Sequence, residues 1–340
     1  MRMLLVKLSS LGDVVHALPA VTDAARAHPG LDVHWAVEEA YVPIPALHPA
    51  VTRVIPVALR RWRRQWRGAG AELRASVRRL RESEYDVVLD AQGLIKSAIV
   101  ARLARGARAG FAYDSARERV AAAAYGRRVS VDKRLHAIDR QRALFAAALG
   151  YGQPSAALDY GVRRDRGGTA GLVLLHGTTW HNKLWPEHFW SEIARRALGL
   201  GERVTLPWGS DEERRRAQRI VASAPGAVIA TPLDLSGIIE LLAGSAAAVS
   251  VDSGLGHLAA ALGVPTLALY GPTDATLTGC RGNRVVNMTS DFACAPCLQR
   301  RCGYRGERVR LDAAPIEPPC FSRITPDQVW RRLRESVWST

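Results

Sequence analysis

The sequence predicts an α/β protein built from two doubly wound domains, and three observations carry that reading. Apolar strand-like runs alternate with helical periodicity along almost the whole chain. The runs are nearly continuous in Val, Ile and Leu, as parallel strands covered on both faces must be. The series also occurs twice, on either side of one polar break, and 340 residues is about the length of two such domains.

In the first half the strands are "RMLLVKL", "DVHWAVEE", "RVIPVA" and "YDVVLDAQ", with a weaker one at "RAGF". Helical spacing covers Val14 to Ala27 and Ala69 to Glu82. The second half repeats the scheme with "GLVLLHG", "RVTLPWG", "AVIA", "AAVSVDSG" and "PTLALYGP". Between the halves, "YGVRRDRGGTAG" at 160–171 has the Gly/Arg-rich composition of a linker, so the domains are expected at 1–160 and 171–325.

Hydrophobic content is 48%, ordinary for a soluble globular protein. No apolar run is long enough to span a bilayer, and Lys7 and Asp13 interrupt the opening before it can read as a signal peptide. The expected compartment is the cytoplasm. The net charge of +15 is uneven: residues 1–160 carry 25 Lys+Arg against 15 Asp+Glu, and residues 161–340 carry 22 against 17. An anionic partner is therefore expected chiefly on the first half.

Ligands of such sheets gather at the carboxyl ends of the strands. The residues there are "SSLGD", "AQG", "GTTWHNK", "WGSDEE" and "DSGLGH", all small, hydroxylic or charged. "HGTTWHNKLWP" offers Thr178, Thr179 and Lys183 ahead of a helix, a set that suits a phosphate, although a polar strand–helix connection explains it equally. It lacks the glycine spacing of a Walker A loop. In "VDSGLGH", Asp252 or Ser253 can cap the next helix while Gly254 and the other first-turn amides stay free for a diphosphate, with His257 close by. Asp211, Glu212 and Glu213 open another helix, where the dipole alone favours acids; by position, that explanation outweighs a ribose-binding carboxylate.

"LRRWRRQWR", Leu59 to Arg67, packs five arginines and two tryptophans into nine residues. Arginine forks fit phosphates and carboxylates, and tryptophans among them suit a membrane interface. Nucleic acid is the competing partner, though no signature of a nucleic-acid-binding motif accompanies the charge. "CAPCLQRRC" gives Cys294, Cys297 and Cys302 at ligand-like spacing, and Cys320 completes either a four-thiolate zinc site or a loop of ordinary thiols.

Together, "KLSSLGDVVHALPAVTDA", "IPVALRRWRR", "VVLDAQGLIKSA", "HGTTWHNKLWP", "LPWGSDEE" and "SVDSGLGHLAAALGVPTLALYGPTD" resemble the ADP-heptose:lipopolysaccharide heptosyltransferases of glycosyltransferase family 9. The segments "LRRWRR" and "GTTWHNK" favour the type I enzymes over heptosyltransferase II. The resemblance implies the GT-B fold, with two Rossmann-like domains facing across a cleft and a final helix in residues 326–340 packing back on the first domain. It implies an inverting enzyme, peripheral on the cytoplasmic face of the inner membrane, that moves heptose from ADP-heptose to Kdo-lipid A and needs no cofactor.

By the same resemblance, Thr178, Thr179, Lys183, Glu213, Asp252, Ser253, Gly254 and His257 contact the sugar-nucleotide, with Leu233 near the adenine. Gly177 and Ser253 stand where alanine and threonine are common. Asp13 is implied as general base, with Ser9, Ser10, Gly12 and Gln92 around the acceptor and Arg60, Arg61, Arg63 and Arg64 on its charges. Lys183 would offset the departing diphosphate, with the helix N-terminus at Asp252–Gly254. The cysteine cluster is the largest departure from the best-known type I enzymes. Two other classes remain in view: a nicotinamide oxidoreductase, weakened because "KLSSLGD" lacks G-x-G-x-x-G, and a basic nucleic-acid-binding protein.

Overall fold

The computed structural model describes residues 1–65, 70–152, 157–162, 170–311 and 314–337. The chain divides into two units, Met1–Arg163 and Arg164–Thr340. The predicted linker falls at this division, with 163–169 outside the described residues.

The first unit holds a six-stranded sheet of β1 (Arg2–Val6), β2 (Asp32–Glu38), β3 (Val51–Val57), β4 (Glu84–Asp90), β5 (Arg105–Phe111) and β6 (Arg127–Val129). Their spatial order is β3-β2-β1-β4-β5-β6, every pair parallel. Its helices are α1 (Leu11–Val15), α2 (Leu18–Ala27), α3 (Pro43–Ala46), α4 (Leu59–Arg64), α5 (Gly70–Arg81), α6 (Ile95–Leu103) and α7 (Ala137–Leu149). Leu4, Val6, Ile55, Val88 and Val100 form the core on one face, as their continuous apolar runs require.

In this order the chain winds outward from β1 through β2 and β3, then returns to β4 on the other side. The crossovers after β1 and β4 therefore leave in opposite directions and open a crevice at the carboxyl ends of those strands. Ser9 to Asp13 and Ala91 to Gly93 stand there by topology alone.

The second unit repeats the arrangement with β7 (Ala170–Leu175), β8 (Val204–Leu206), β9 (Val228–Ile229), β10 (Ser245–Val251), β11 (Thr266–Tyr270) and β12 (Val285–Thr289). The order is β12-β11-β10-β7-β8-β9, again all parallel, so its switch point lies between β7 and β10. Its helices are α8 (Glu187–Gly199), α9 (Asp211–Ala222), α10 (Leu235–Ala243), α11 (Gly254–Ala261), α12 (Ala275–Thr278) and α13 (Pro326–Arg332). Two short strands, β13 (Arg310–Leu311) and β14 (Ala314–Pro315), pair antiparallel outside the main sheet.

Several elements differ from the sequence reading. The single helix expected over Val14 to Ala27 is two, because Pro19 is accommodated in the first turn of α2, where its missing N–H has no partner to lose. β6 and β12 escape the apolar-run criterion, since "RRV" and "VVNMT" are sheet-edge strands of mixed polarity. The final helix is sent by the sequence reading to the first domain, yet its apolar side completes the core of the second unit. Val329 and Leu333, four residues apart, are fully buried with Trp185 and Phe321. Asp327 binds Arg196 of α8 at 2.6 Å, and a Thr325–Gln328 capping box starts the helix.

Candidate active-site elements of the two units

At the first switch point Ser10 caps α1 and Asp13 is the third residue of that helix. The Asp13 Oδ2 atom accepts hydrogen bonds from the Ser10 amide at 3.1 Å and the Ser10 hydroxyl at 3.0 Å. Arg117 Nη1 lies 3.4 Å from the same oxygen, and Lys7 Nζ lies 3.9 Å from Oδ1. Burial alone would push the Asp13 carboxyl up. The positive charges of Lys7, Arg117 and His16, with the Ser10 amide, outweigh that and hold it below the usual carboxylate range. The side chain nonetheless keeps 18% of its surface exposed, enough for a hydroxyl to reach it.

Lys7 is only 3% exposed, and its ammonium donates to the Ala91 carbonyl at 2.9 Å. Burial pushes it down to about 8, against the opposing pull of Asp13. Removing this cation should make Asp13 easier to protonate. Lys7→Met is therefore expected to move the acid limb of the kcat/KM profile to higher pH, and an unmoved limb would deny the coupling.

The neighbouring loop is set by a second carboxylate. Asp90 is fully buried; its oxygens accept from the Tyr125 hydroxyl at 2.6 Å and from the Gln92 and Gly93 amides at 2.9 and 3.1 Å. Gln92 in turn accepts from the Leu8 amide at 2.8 Å and is 3% exposed, so it fixes the end of β1. Ser9 is buried and its hydroxyl accepts from Lys96 at 2.9 Å, whereas Ser10 is exposed. Gly12 is buried inside α1.

The basic segment forms α4 up to Arg64; Trp66 and Arg67 lie outside the described residues. Arg60, Arg63 and Arg64 are exposed. Arg61 is different: it pairs with Glu39 at 3.0 Å and with Glu72 of α5 at 2.7 Å, and Trp62 Nε1 donates to that same Glu72 oxygen. Arg61 thus braces the helix.

At the second switch point Lys183 and Asp252 form an ion pair of 2.6 Å, with side-chain exposures of 15% and 8%. The Asp252 Oδ2 atom also accepts from the Thr273 hydroxyl at 2.7 Å, and the Asp252 carbonyl accepts from Thr178 Oγ1 at 3.3 Å. The Lys183 ammonium lies 4.4 Å from the centre of the Trp180 ring. Thr179 is exposed beside them. Ser253, and not Asp252, caps α11: its Oγ accepts from the Gly256 amide at 3.4 Å, and the remaining amides of that first turn begin at Gly254. His257 is buried, with Nδ1 3.4 Å from the Cys280 thiol.

Glu213 sits in the first turn of α9, whose cap is Ser210, and its Oε2 accepts from the Gly209 amide at 2.7 Å. A Cβ placed on Gly177 would fall 2.3 Å from Glu213 Oε1. The carboxylate thus leans across the end of β7 into the space a side chain at Gly177 would use. Leu233 is half-buried in the turn between β9 and α10.

Each switch point thus gathers its share of the residues singled out in the sequence. Two partners were missed: Arg117 lies in a loop without periodicity, and Thr273 follows β11 in "YGPTD", where the strand-end rule would have found it; Lys7 stands out in the sequence as the lysine flanking the turn, but with no role. Among the described residues no helix is long and apolar enough to cross a membrane.

The family model "Glycosyltransferase family 9 (heptosyltransferase)" matches residues 73–306. Lipopolysaccharide heptosyltransferase 1 of Pseudomonas aeruginosa is 49% identical over 344 residues, covering 98% of this chain and 97% of the relative. The solved structure of E. coli heptosyltransferase WaaC with ADP superposes with a TM-score of 0.85 at 38% identity, covering 99% of this chain and all (100%) of that one. The same enzyme with ADP-2-deoxy-2-fluoro heptose gives 0.80 at 38% identity, covering 98% and 99%. With its two doubly wound parallel sheets, the chain has the GT-B fold and belongs to glycosyltransferase family 9, the heptosyltransferases.

Proposed function

We infer that the chain transfers heptose from ADP-heptose to the Kdo of Kdo-lipid A, with inversion, at the cytoplasmic face of the inner membrane. The observation that carries the chemical part is Asp13: an ionised carboxylate flanked by Lys7 and Arg117, oriented by Ser10 and still open to an incoming hydroxyl. The acceptor oxygen attacks the anomeric carbon as the bond from that carbon to the diphosphate breaks, and its proton passes to Asp13. A carboxylate held below its usual range is a weak base. It takes the proton late, once bonding to an oxocarbenium-like carbon has made the hydroxyl acidic.

The second unit supports the donor half. Lys183, the Thr178 and Thr179 hydroxyls and the first amides of α11 would meet the charge that grows on the leaving ADP. In this reading the diphosphate needs no divalent ion, and turnover should be independent of added magnesium. Asp252 holds Lys183 in position, and Glu213 has the placement of a ribose-binding carboxylate.

The type I assignment is tested by ADP release with two acceptors, Kdo-lipid A and the same lipid already carrying one heptose. Turnover on the first supports it; turnover only on the second makes the chain a heptosyltransferase II. Salt-dependent retention on DNA with no ADP release from either would favour the nucleic-acid reading.

Arg60, Arg63 and Arg64 are the surface for the acceptor's phosphates. Exposed charge pairs contribute roughly 0.2–1 kcal/mol each, so changing all three to alanine should raise the acceptor KM about tenfold and flatten its salt dependence. The donor KM should stay within about twofold. Equal effects on both substrates would contradict the assignment.

A further inference from the structure

The cysteines left unused by the transfer chemistry are brought together by the fold. Cys294, Cys297 and Cys302 lie in the loop between β12 and β13, and Cys320 lies in the turn before α13. All four line one small cavity, with Asn182 and Pro272 on its other walls. The two segments are tied to each other and to the sheet: the Ser290 hydroxyl donates to the Cys320 carbonyl at 2.7 Å, and the Leu298 amide donates to the Pro272 carbonyl at 2.8 Å. None of the four is in a disulfide.

One further observation bears on what the cavity takes. Asn182, on its wall, is 1% exposed, and its Oδ1 has no hydrogen-bond partner, so a buried polar group there is left without compensation.

We propose that Cys294, Cys297, Cys302 and Cys320 bind a single thiophilic divalent metal ion, zinc by preference, as a tetrathiolate. The four S–H protons leave to solvent as four sulfur–metal bonds form. Among the described residues no three His, Cys, Asp or Glu side chains already stand in a metal-holding group, so the ion closes the site by turning the thiols inward. Cys294 and Cys302 are exposed and Cys297 half-buried, which leaves them room to turn onto the buried Cys320. A four-sulfur tetrahedral set selects zinc or iron over magnesium or calcium.

The site adjoins the loop that carries Lys183. Asn182 is the residue before it, and the guanidinium of Arg300, between Cys297 and Cys302, lies 5.4 Å from the centre of the same Trp180 ring that faces Lys183. The ion is thus a brace for that loop, away from the reacting atoms. The proposal does not depend on the heptosyl reading.

The test is elemental analysis of the full chain, expressed in medium supplemented with zinc and iron and purified without chelator. About one metal per chain is expected, falling at least tenfold in a Cys294→Ser/Cys297→Ser double variant and unchanged in Cys280→Ser. Protein expressed with cobalt should show the intense sulfur-to-metal charge transfer and visible bands of a tetrahedral thiolate site. That readout needs only the wild-type fold, should the double variant not fold. Wild-type protein with less than about a tenth of an equivalent of either metal and no cobalt–thiolate spectrum would overturn the proposal, as would full metal retention in a folded double variant.

Discussion

Asp13→Ala is expected to lower turnover about 100- to 10,000-fold while leaving the Kd for ADP within about twofold. The size of the loss follows from the base role proposed for the carboxylate: without it the attacking hydroxyl would have to give its proton to water. The selectivity follows from placement, since the Asp13 partners Ser10, Lys7 and Arg117 lie within the first unit, whereas Lys183 and Asp252 belong to the second. Asp13→Asn should be nearly as slow, because an amide preserves shape but accepts no proton. Isothermal titration with ADP and steady-state ADP release on the same preparations check both halves. Turnover within a few-fold of wild type in a folded Asp13→Ala protein would remove Asp13 from the chemistry.

Lys183→Ala should lose about 100- to 1,000-fold in turnover, the range seen when one preorganised group is withdrawn from a developing charge. ADP binding should weaken with it, since in the proposed function the cation would meet the diphosphate both before and after the bond breaks. This variant also leaves Asp252 without its ion partner at 8% exposure, and breaking such a buried pair costs about 3 kcal/mol or more. The Thr273 hydroxyl retains one hydrogen bond to the orphaned carboxylate, which softens the loss. A Lys183→Ala/Asp252→Asn double variant should recover stability without recovering turnover. Denaturant midpoints read beside kcat separate the two effects. Recovery of both together would make Lys183 a structural residue only.

Much of this was legible before any coordinates, for physical reasons that differ by element. Residues 3–6 of β1, 88–89 of β4, 172–175 of β7 and 247–251 of β10 are buried, so the inner parts of these strands read as chiefly apolar runs. The residues that follow them are polar because the switch points place them beside solvent and ligand. Glu213 is instructive. By position it is an ordinary first-turn acid, and only the fold shows its carboxylate lying against Gly177.

Long-range contacts could not be read from the chain. Arg61 looks like its arginine neighbours until Glu39 and Glu72 arrive from elsewhere in the fold. Arg117 reaches Asp13 across 104 positions of sequence. The final helix carries Val329 and Leu333 at helical spacing, which announces an apolar side but not the core it joins. The cysteine spacing suggested a shared site, and the fold supplied what spacing could not: Cys320 on the same cavity as the other three.

The central claim, a single displacement in which Asp13 is the base, is tested most directly by the configuration of the transferred sugar. The other carboxylate of that switch point, Asp90, is fully buried and occupied by Tyr125, Gln92 and Gly93, so it is not placed to form a glycosyl-enzyme intermediate. Nuclear magnetic resonance of the product made from ADP-heptose and Kdo-lipid A reads the anomeric centre. The account predicts one heptose per ADP released, its configuration opposite to that in the donor. A product with retained configuration, or ADP release without a heptosylated lipid, would contradict it.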